Sequence, residues 1–174
     1  MKPEQPPPDS RAWRPGAGLA AAVFAADLAS KWWLLYGLEL GRRGAIEITP
    51  FFNLVLVWNR GISFGLFNDG GVSGRWLLVA LTAAIIIGLA VWLVRAQGRF
   101  LAIALGLVIG GAIGNMYDRI VYGAVRDFFD VHIGSHHWPA FNLADSAISV
   151  GVALLIWDAV MGTGDEAEST DRTG

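Results

Sequence analysis

Two aspartates break the pattern of their surroundings, and an ionisable side chain at a membrane boundary is costly unless it has a task. Val125 to Ile133 reads as a strand. Period-two alternation puts Val125, Asp127, Phe129, Val131 and Ile133 on one face and Arg126, Phe128, Asp130 and His132 on the other. Asp127 is the polar exception on an apolar face, whereas Asp130 lies among polar neighbours and reads as solvated rim. Further along, Asn142, Asp145 and Ser149 fall at i, i+3 and i+7, one polar stripe on an apolar helix. Two carboxylates brought to one level cannot both ionise comfortably, so one keeps its proton while the other acts as base on a water. Such a pair hydrolyses an amide without a metal or a covalent intermediate.

Other chemistry-bearing residues fit their patterns less well. Gly61-Ile62-Ser63-Phe64-Gly65 matches the form of a serine nucleophile elbow, but it falls in a short loop between apolar spans rather than on the strand-to-helix turn that gives the motif meaning. Gly162-Thr163-Gly164-Asp165 resembles a membrane-protease signature but lies in a polar tail. His132, His136 and His137 sit in a glycine- and serine-containing loop without a rigid ligand spacing, which suits a solvated cluster and no metal. With no cysteine there is no disulfide or thiolate chemistry. A net charge of −2 and the lack of a basic stripe exclude a nucleic-acid surface.

The elements that must position the aspartates are membrane spans. Hydrophobic residues make up 54% of the 174 and charged residues 16%, too apolar for an ordinary soluble domain. The expected fold is an integral membrane protein, mainly α, with four transmembrane helices, a small extracytoplasmic β-sheet and a short interfacial helix. Spans are predicted at about 16–38, 76–94, 100–117 and 141–161, together forming a single domain over 16–161, with disordered polar tails at 1–15 and 162–174. Residues 39–74 and 118–140 form the surface part. There Gly41-Arg42-Arg43-Gly44 makes a turn, Ile46–Thr49 and Asn53–Trp58 make strands, and Ile62–Phe67 is the interfacial segment. In the first span Asp27 and Lys31 are four apart and form an ion pair, either binding this helix to its neighbours or positioning a substrate. In the third, Gly106, Gly110 and Gly114 make a smooth stripe for close helix approach, and Gly111, Asn115 and Arg119 share one face. Asp118 and Arg119 are expected to cap that helix and support their neighbours. Four spans put both tails on one side. The cations divide six against six between the two sides, and only Arg95 and Arg99, packed into one turn, favour the tail side as cytoplasmic.

Four motifs in order carry a family resemblance. They are Asp27-x-x-x-Lys31; Asn59-Arg60-Gly61-Ile62-Ser63-Phe64-Gly65; Gly111-Ala112-Ile113-Gly114-Asn115-x-x-Asp118-Arg119 followed by Val125-Arg126-Asp127-Phe128; and Phe141-Asn142-x-Ala144-Asp145-Ser146. The chain resembles the lipoprotein signal peptidases (signal peptidase II) from roughly Asp27 to Ile156. The resemblance implies that Asp127 and Asp145 are the catalytic pair of an aspartyl endopeptidase. Asn59, Gly61, Gly111, Asn115, Asp118, Arg119, Asn142 and Ala144 would then shape the site or bind substrate backbone or lipid headgroup, with Asp27 and Lys31 in support. It implies diacylglyceryl-modified prolipoproteins as substrates, membrane lipid as the surroundings, no cofactor, a monomer, and a bacterial inner-membrane location with both termini cytoplasmic and the site toward the extracytoplasmic side. A small proton- or ion-coupled transport protein is the alternative, with Asp27, Lys31 and Asp145 as a relay across the membrane depth.

Overall fold

A computed structural model describes residues 11–61 and 72–171, with side chains over 11–61 and 74–161. Helix α1 (Trp13–Trp32) continues through a π-helical stretch, Trp33–Gly37, into the short helix α2 (Leu40–Arg43). Strands β1 (Ile46–Thr49) and β2 (Phe52–Asn59) follow, then helices α3 (Val72–Arg95) and α4 (Arg99–Tyr122), strands β3 (Val125–Ile133) and β4 (His136–His137), and helix α5 (Leu143–Asp171). Among the described residues, four helices are long and apolar enough to cross a membrane: Trp13–Gly37, Gly74–Arg95, Arg99–Tyr122 and Leu143–Met161. The strands form one antiparallel sheet in the order β1-β2-β3-β4.

Several boundaries differ from those expected. The first helix begins at Trp13, inside the stretch assigned to a disordered tail, because Trp13 packs on the buried cluster around Ala20, Leu93 and Leu105. Pro15 sits in the first turn, where its missing N–H costs nothing. The expected turn at 41–44 is a helical turn started by Leu40, which is wholly buried with Leu34, Leu54 and Phe128. The third helix runs past Tyr117 to Tyr122 and stops at Gly123, whose left-handed φ of 80° lets its N–H close on the Arg119 carbonyl at 3.1 Å. That glycine, not Asp118 or Arg119, ends the helix. The backbone of α5 stays helical to Asp171, beyond the expected end of the span at Met161. The histidine loop is partly ordered as β4. The interfacial segment Ile62–Phe67 and most of the serine-elbow motif lie outside the described residues.

α4 is the central span and the most enclosed, flanked by α1, α3 and α5. Glycines bring its backbone against both α1 and α5. A Cβ on Gly106 would lie 2.3 Å from the Gly16 carbonyl oxygen of α1, and one on Gly110 would lie 2.6 Å from that of Ala20. On the neighbouring face, a Cβ on Gly111 would lie 2.4 Å from the Ala144 carbonyl oxygen of α5. The stripe thus works as expected along α1, and Gly111 extends it to a second helix. Arg75, at the start of α3, donates to the carbonyl of Ile120 and stacks over Trp76, tying α3 to the end of α4.

Replacing Gly110 by Ala puts a methyl against backbone that cannot rotate away, and is expected to lower stability by about 1–3 kcal/mol. Gly18→Ala, whose added methyl meets nothing within 4 Å, is expected to leave stability unchanged or slightly higher. Thermal unfolding of both variants in detergent checks this.

Candidate active site

Asp127 reaches the site because β3 is sandwiched between two backbone partners. On one side, β2 pairs with β3 in the register Val57↔Asp127 and Asn59↔Val125, after an irregularity between Leu54 and Val57. Asn59 therefore lies diagonally beside Asp127 on the same face, and its Nδ2 donates to Asp127 Oδ2 at 3.0 Å. Asn59 Oδ1 meanwhile accepts from the Gly61 N–H at 2.9 Å, fixing the amide and the turn that leaves β2. Gly61 has a φ of 93°, and a Cβ there would lie 2.5 Å from Leu78 Cδ1. On the other side, Phe141 returns along β3, exchanging hydrogen bonds with Phe129 at 2.8 and 3.1 Å. That return delivers Asn142 to Asp127.

Asn142 holds both carboxylates. Its Nδ2 donates to Asp127 Oδ1 at 2.7 Å. It is also the N-cap of α5: its Oδ1 accepts from the Asp145 N–H at 2.9 Å, and Asp145 Oδ2 accepts from the Asn142 N–H at 3.1 Å. This is a capping box with aspartate in the third helical position. The remaining Asp145 oxygen, Oδ1, accepts from Asn115 Nδ2 of α4 at 2.7 Å. Asn115 Oδ1 in turn accepts from Asn142 Nδ2 at 3.1 Å and from Lys31 Nζ at 3.5 Å. Each of the three asparagines has both ends of its amide committed, so their orientations are determined by the network.

Beneath this layer lies a buried charge cluster. Lys31 Nζ is 2.7 Å from Asp27 Oδ2 and 3.0 Å from Asp118 Oδ2, and all three side chains are inaccessible. Asp118 Oδ1 accepts from Arg126 Nη2 at 2.6 Å, and Asp118 Oδ2 accepts from Arg126 Nε at 3.3 Å and from its backbone N–H at 3.1 Å. Asp27 Oδ1 accepts the Ala144 N–H at 3.1 Å, satisfying a free donor in the first turn of α5. Two acids and two bases balance. Ala144 is fully buried, and its methyl lies 3.4 Å from where a Cβ on Gly114 would sit, so a small residue is required there.

Burial pushes the Asp127 carboxyl up to about 6, aided by the charge of Asp145 and opposed by the amides of Asn59 and Asn142 and by Lys31. Arg119, half-buried, donates from Nη1 to the Asn115 carbonyl at 3.4 Å, while its Nε has no partner among the described residues. Asp127, Asp145, Asn59, Asn115, Asn142, Asp27, Lys31, Asp118 and Ala144 thus form one connected cluster. Gly61 joins it through Asn59, and Gly111 lies under Ala144. Ser149 is exposed and stands apart from it.

Two residues behave differently from the sequence reading. Arg126, placed on the polar face of the strand without a role, is 3% exposed and neutralises Asp118. The signal that would have found it is charge balance, since Asp27, Lys31 and Asp118 leave one acid without a cation. Asp130 is not solvated rim. It is buried, accepts from Asn53 Nδ2 at 3.1 Å, and lies 2.8 Å from His137 Nδ1, whose hydrogen bond holds the carboxyl below its ordinary value. His137 stacks on His132 with ring centroids 4.8 Å apart, so these histidines clamp β4 to β3.

Four candidate spans with a small antiparallel sheet, among the described residues, are the architecture of an integral membrane protein, one shared with solved bacterial membrane enzymes. The chain superposes with a TM-score of 0.72 on a structure described as a bacterial membrane enzyme solved by the in meso method at 2.3 Å resolution, with 27% identity over 86% of this chain and 90% of that one. A second such structure, at 1.9 Å resolution, gives the same TM-score, with 28% identity over 83% and 91%. The family model described as signal peptidase (SPase) II matches residues 19–161, and the chain belongs to that family of membrane proteases. It is similar to the lipoprotein signal peptidase of Methylorubrum extorquens (strain PA1), 49% identical over 94% of this chain and 95% of the relative. It is likewise 49% identical to that of Rhodopseudomonas palustris (strain ATCC BAA-98 / CGA009), over 84% and 90%.

Lys31→Met leaves Asp27 buried without a cation, beside an Asp118 that keeps only Arg126, and is expected to cost about 3–5 kcal/mol in unfolding free energy. Arg42→Ala, which breaks an exposed 3.3 Å pair with Glu39, is expected to cost less than about 1 kcal/mol by the same measurement. Asp127 adds a pH dependence. Its folded value of about 6 lies above the ordinary 3.8, so the folded protein holds a proton that the unfolded chain releases. Stability is therefore lost as pH rises from about 4 to about 6, by about 3 kcal/mol in all. Subtracting the unfolding curve of Asp127→Asn from that of the unmutated protein across this range isolates the contribution.

Proposed function

We propose that the protein is an aspartyl endopeptidase that removes signal peptides from diacylglyceryl-modified bacterial prolipoproteins, cleaving before the lipidated cysteine, with Asp127 and Asp145 as its catalytic pair. The observation that carries this reading is the double grip of Asn142 on both carboxylates, at 2.7 Å to Asp127 and 2.9 and 3.1 Å in exchange with Asp145. The substrate follows from the names of the relatives and from the family.

The pair shares one proton. The ionised carboxylate takes a proton from a water, whose oxygen attacks the scissile carbonyl carbon. The protonated carboxyl donates to the carbonyl oxygen as the tetrahedral intermediate forms. A proton then passes to the amide nitrogen, the C–N bond breaks, and the pair returns to its single-proton state. Asn59, Asn115 and Asn142 aim the carboxylates. Arg119, with a free Nε beside them, supplies a donor to substrate backbone or to the oxygen-rich lipid headgroup. In this reading both termini face the cytoplasm and the aspartates open to the extracytoplasmic side. The transport alternative relied on Asp27, Lys31 and Asp145 as a relay across the membrane depth, and these three are instead joined through Asn115 in one cluster.

With a diacylated precursor in detergent, Asp127→Asn and Asp145→Asn are each expected to lower the cleavage rate by about a thousandfold. Asp130→Asn and Ser63→Ala are expected to keep most of it. Normal processing by either member of the pair, once substituted, would overturn the assignment, and a folded but inactive Ser63→Ala would revive a serine mechanism.

A further inference from the structure

The side of β3 opposite Asp127 opens on a second feature. A cavity of about 340 Å³ lies between α1 and α4 at the sheet end of the bundle, within the usual range for ligand sites (about 300–1,000 Å³). Trp32 and Tyr36 wall it from the first span, Tyr117 and Tyr122 from α4. Leu28 and Ala29 lie a turn deeper, and Arg126 closes it. None of the asparagines or aspartates of the active-site layer lines it.

Arg126 is the group that points to a ligand. It is 3% exposed, with Nε and Nη2 turned to Asp118 and the guanidinium 4.1 Å from the centroid of the Tyr122 ring. Its Nη1, unlike Nε and Nη2, donates to no protein atom among the described residues and is not shut off from the surface. Tyr36, Tyr117 and Tyr122, which are 56%, 36% and 41% exposed, line the same groove. A guanidinium with a spare N–H, in a groove that three tyrosines also line, suits a ligand rich in acceptor oxygens.

Location decides which ligand. The cavity lies between two spans, so its occupant arrives from the bilayer. Its aromatic walls mark the depth of headgroups and glycerol esters, while Leu28 and Ala29 offer apolar surface below. Asp118 already balances the charge of Arg126, so the occupant is held by hydrogen bonds from Nη1 and the tyrosine hydroxyls to the several acceptor oxygens of a phosphodiester and its glycerol esters. We propose that this groove binds the phosphodiester and glycerol region of a membrane glycerophospholipid, at a site separate from the aspartate pair. The proposal does not rest on the peptidase reading, and its test measures binding rather than cleavage.

Native mass spectrometry of the full chain in an uncharged detergent, titrated with phosphatidylglycerol, diacylglycerol of the same chains or inorganic phosphate, tests it. Phosphatidylglycerol is expected to be retained at one copy, with the other two bound at least about tenfold more weakly, the worth of one charge-assisted hydrogen bond. Ala29→Phe, which fills the groove from an exposed position, is expected to weaken phosphatidylglycerol by a similar factor. Tyr117→Phe, which keeps its edge contact with Phe24, is expected to weaken it several-fold. Gly18→Phe, elsewhere on α1, should bind as the unmutated protein does. Equal retention by Ala29→Phe and Tyr117→Phe, diacylglycerol bound as well as phosphatidylglycerol, or inorganic phosphate bound as well as the lipid would each overturn the proposal.

Discussion

The ammonium of Lys31 sits where no water reaches it, and the arrangement of the helices follows from how that charge is satisfied. Its three donors go to Asp27 on its own helix and to Asp118 and Asn115 on α4. Removing any acceptor would strand a charge in a medium that solvates it poorly. The cluster is closed by Arg126 from β3 and by the Ala144 N–H from α5. α1, α4, β3 and α5 are thereby bound at one point, and that point lies directly under Asp127 and Asp145.

Buried charge demands close approach, and close approach demands small residues. Glycines 106, 110 and 111 let α4 touch the backbones of α1 and α5, and Gly114 leaves room for the Asp27 carboxylate, which a Cβ there would meet at 2.5 Å. Packing and electrostatics are therefore one constraint. The helices can come close because side chains are missing, and they must come close because the charges have no other partners.

Much of this was legible in residue order. Asp127 stood out because a strand's alternation is a strict rule and a carboxylate on the apolar side violates it. Asp145 stood out because i, i+3 spacing identifies one helix face. The spans were legible from length and hydropathy, and their ends less so. Trp13 and Leu40 extend helical structure through tertiary burial that no local pattern reports, and Gly123 stops α4 a full turn beyond the apolar run. Arg126 and Asp130 were misread for a common reason. Period two says which residues share a face, but not whether the other face meets water or meets protein, and here most of β3 is covered on both sides. The irregularity in β2 that brings Asn59 beside Asp127 likewise depends on pairing between segments far apart in sequence.

The capping box at Asn142 has a further consequence for the order of events in biogenesis. Asp145 is oriented only when α5 has started and has docked on Asn115 of α4, and Asp127 only when β2 and the Phe141 return flank β3. No smaller part of the chain contains a paired, oriented set of carboxylates. A nascent chain with three spans inserted carries Asp127 alone, without its counterpart. With the proposed pair as its catalytic group, the enzyme gains activity only when its last span is in place, and the order of membrane insertion is itself the safeguard.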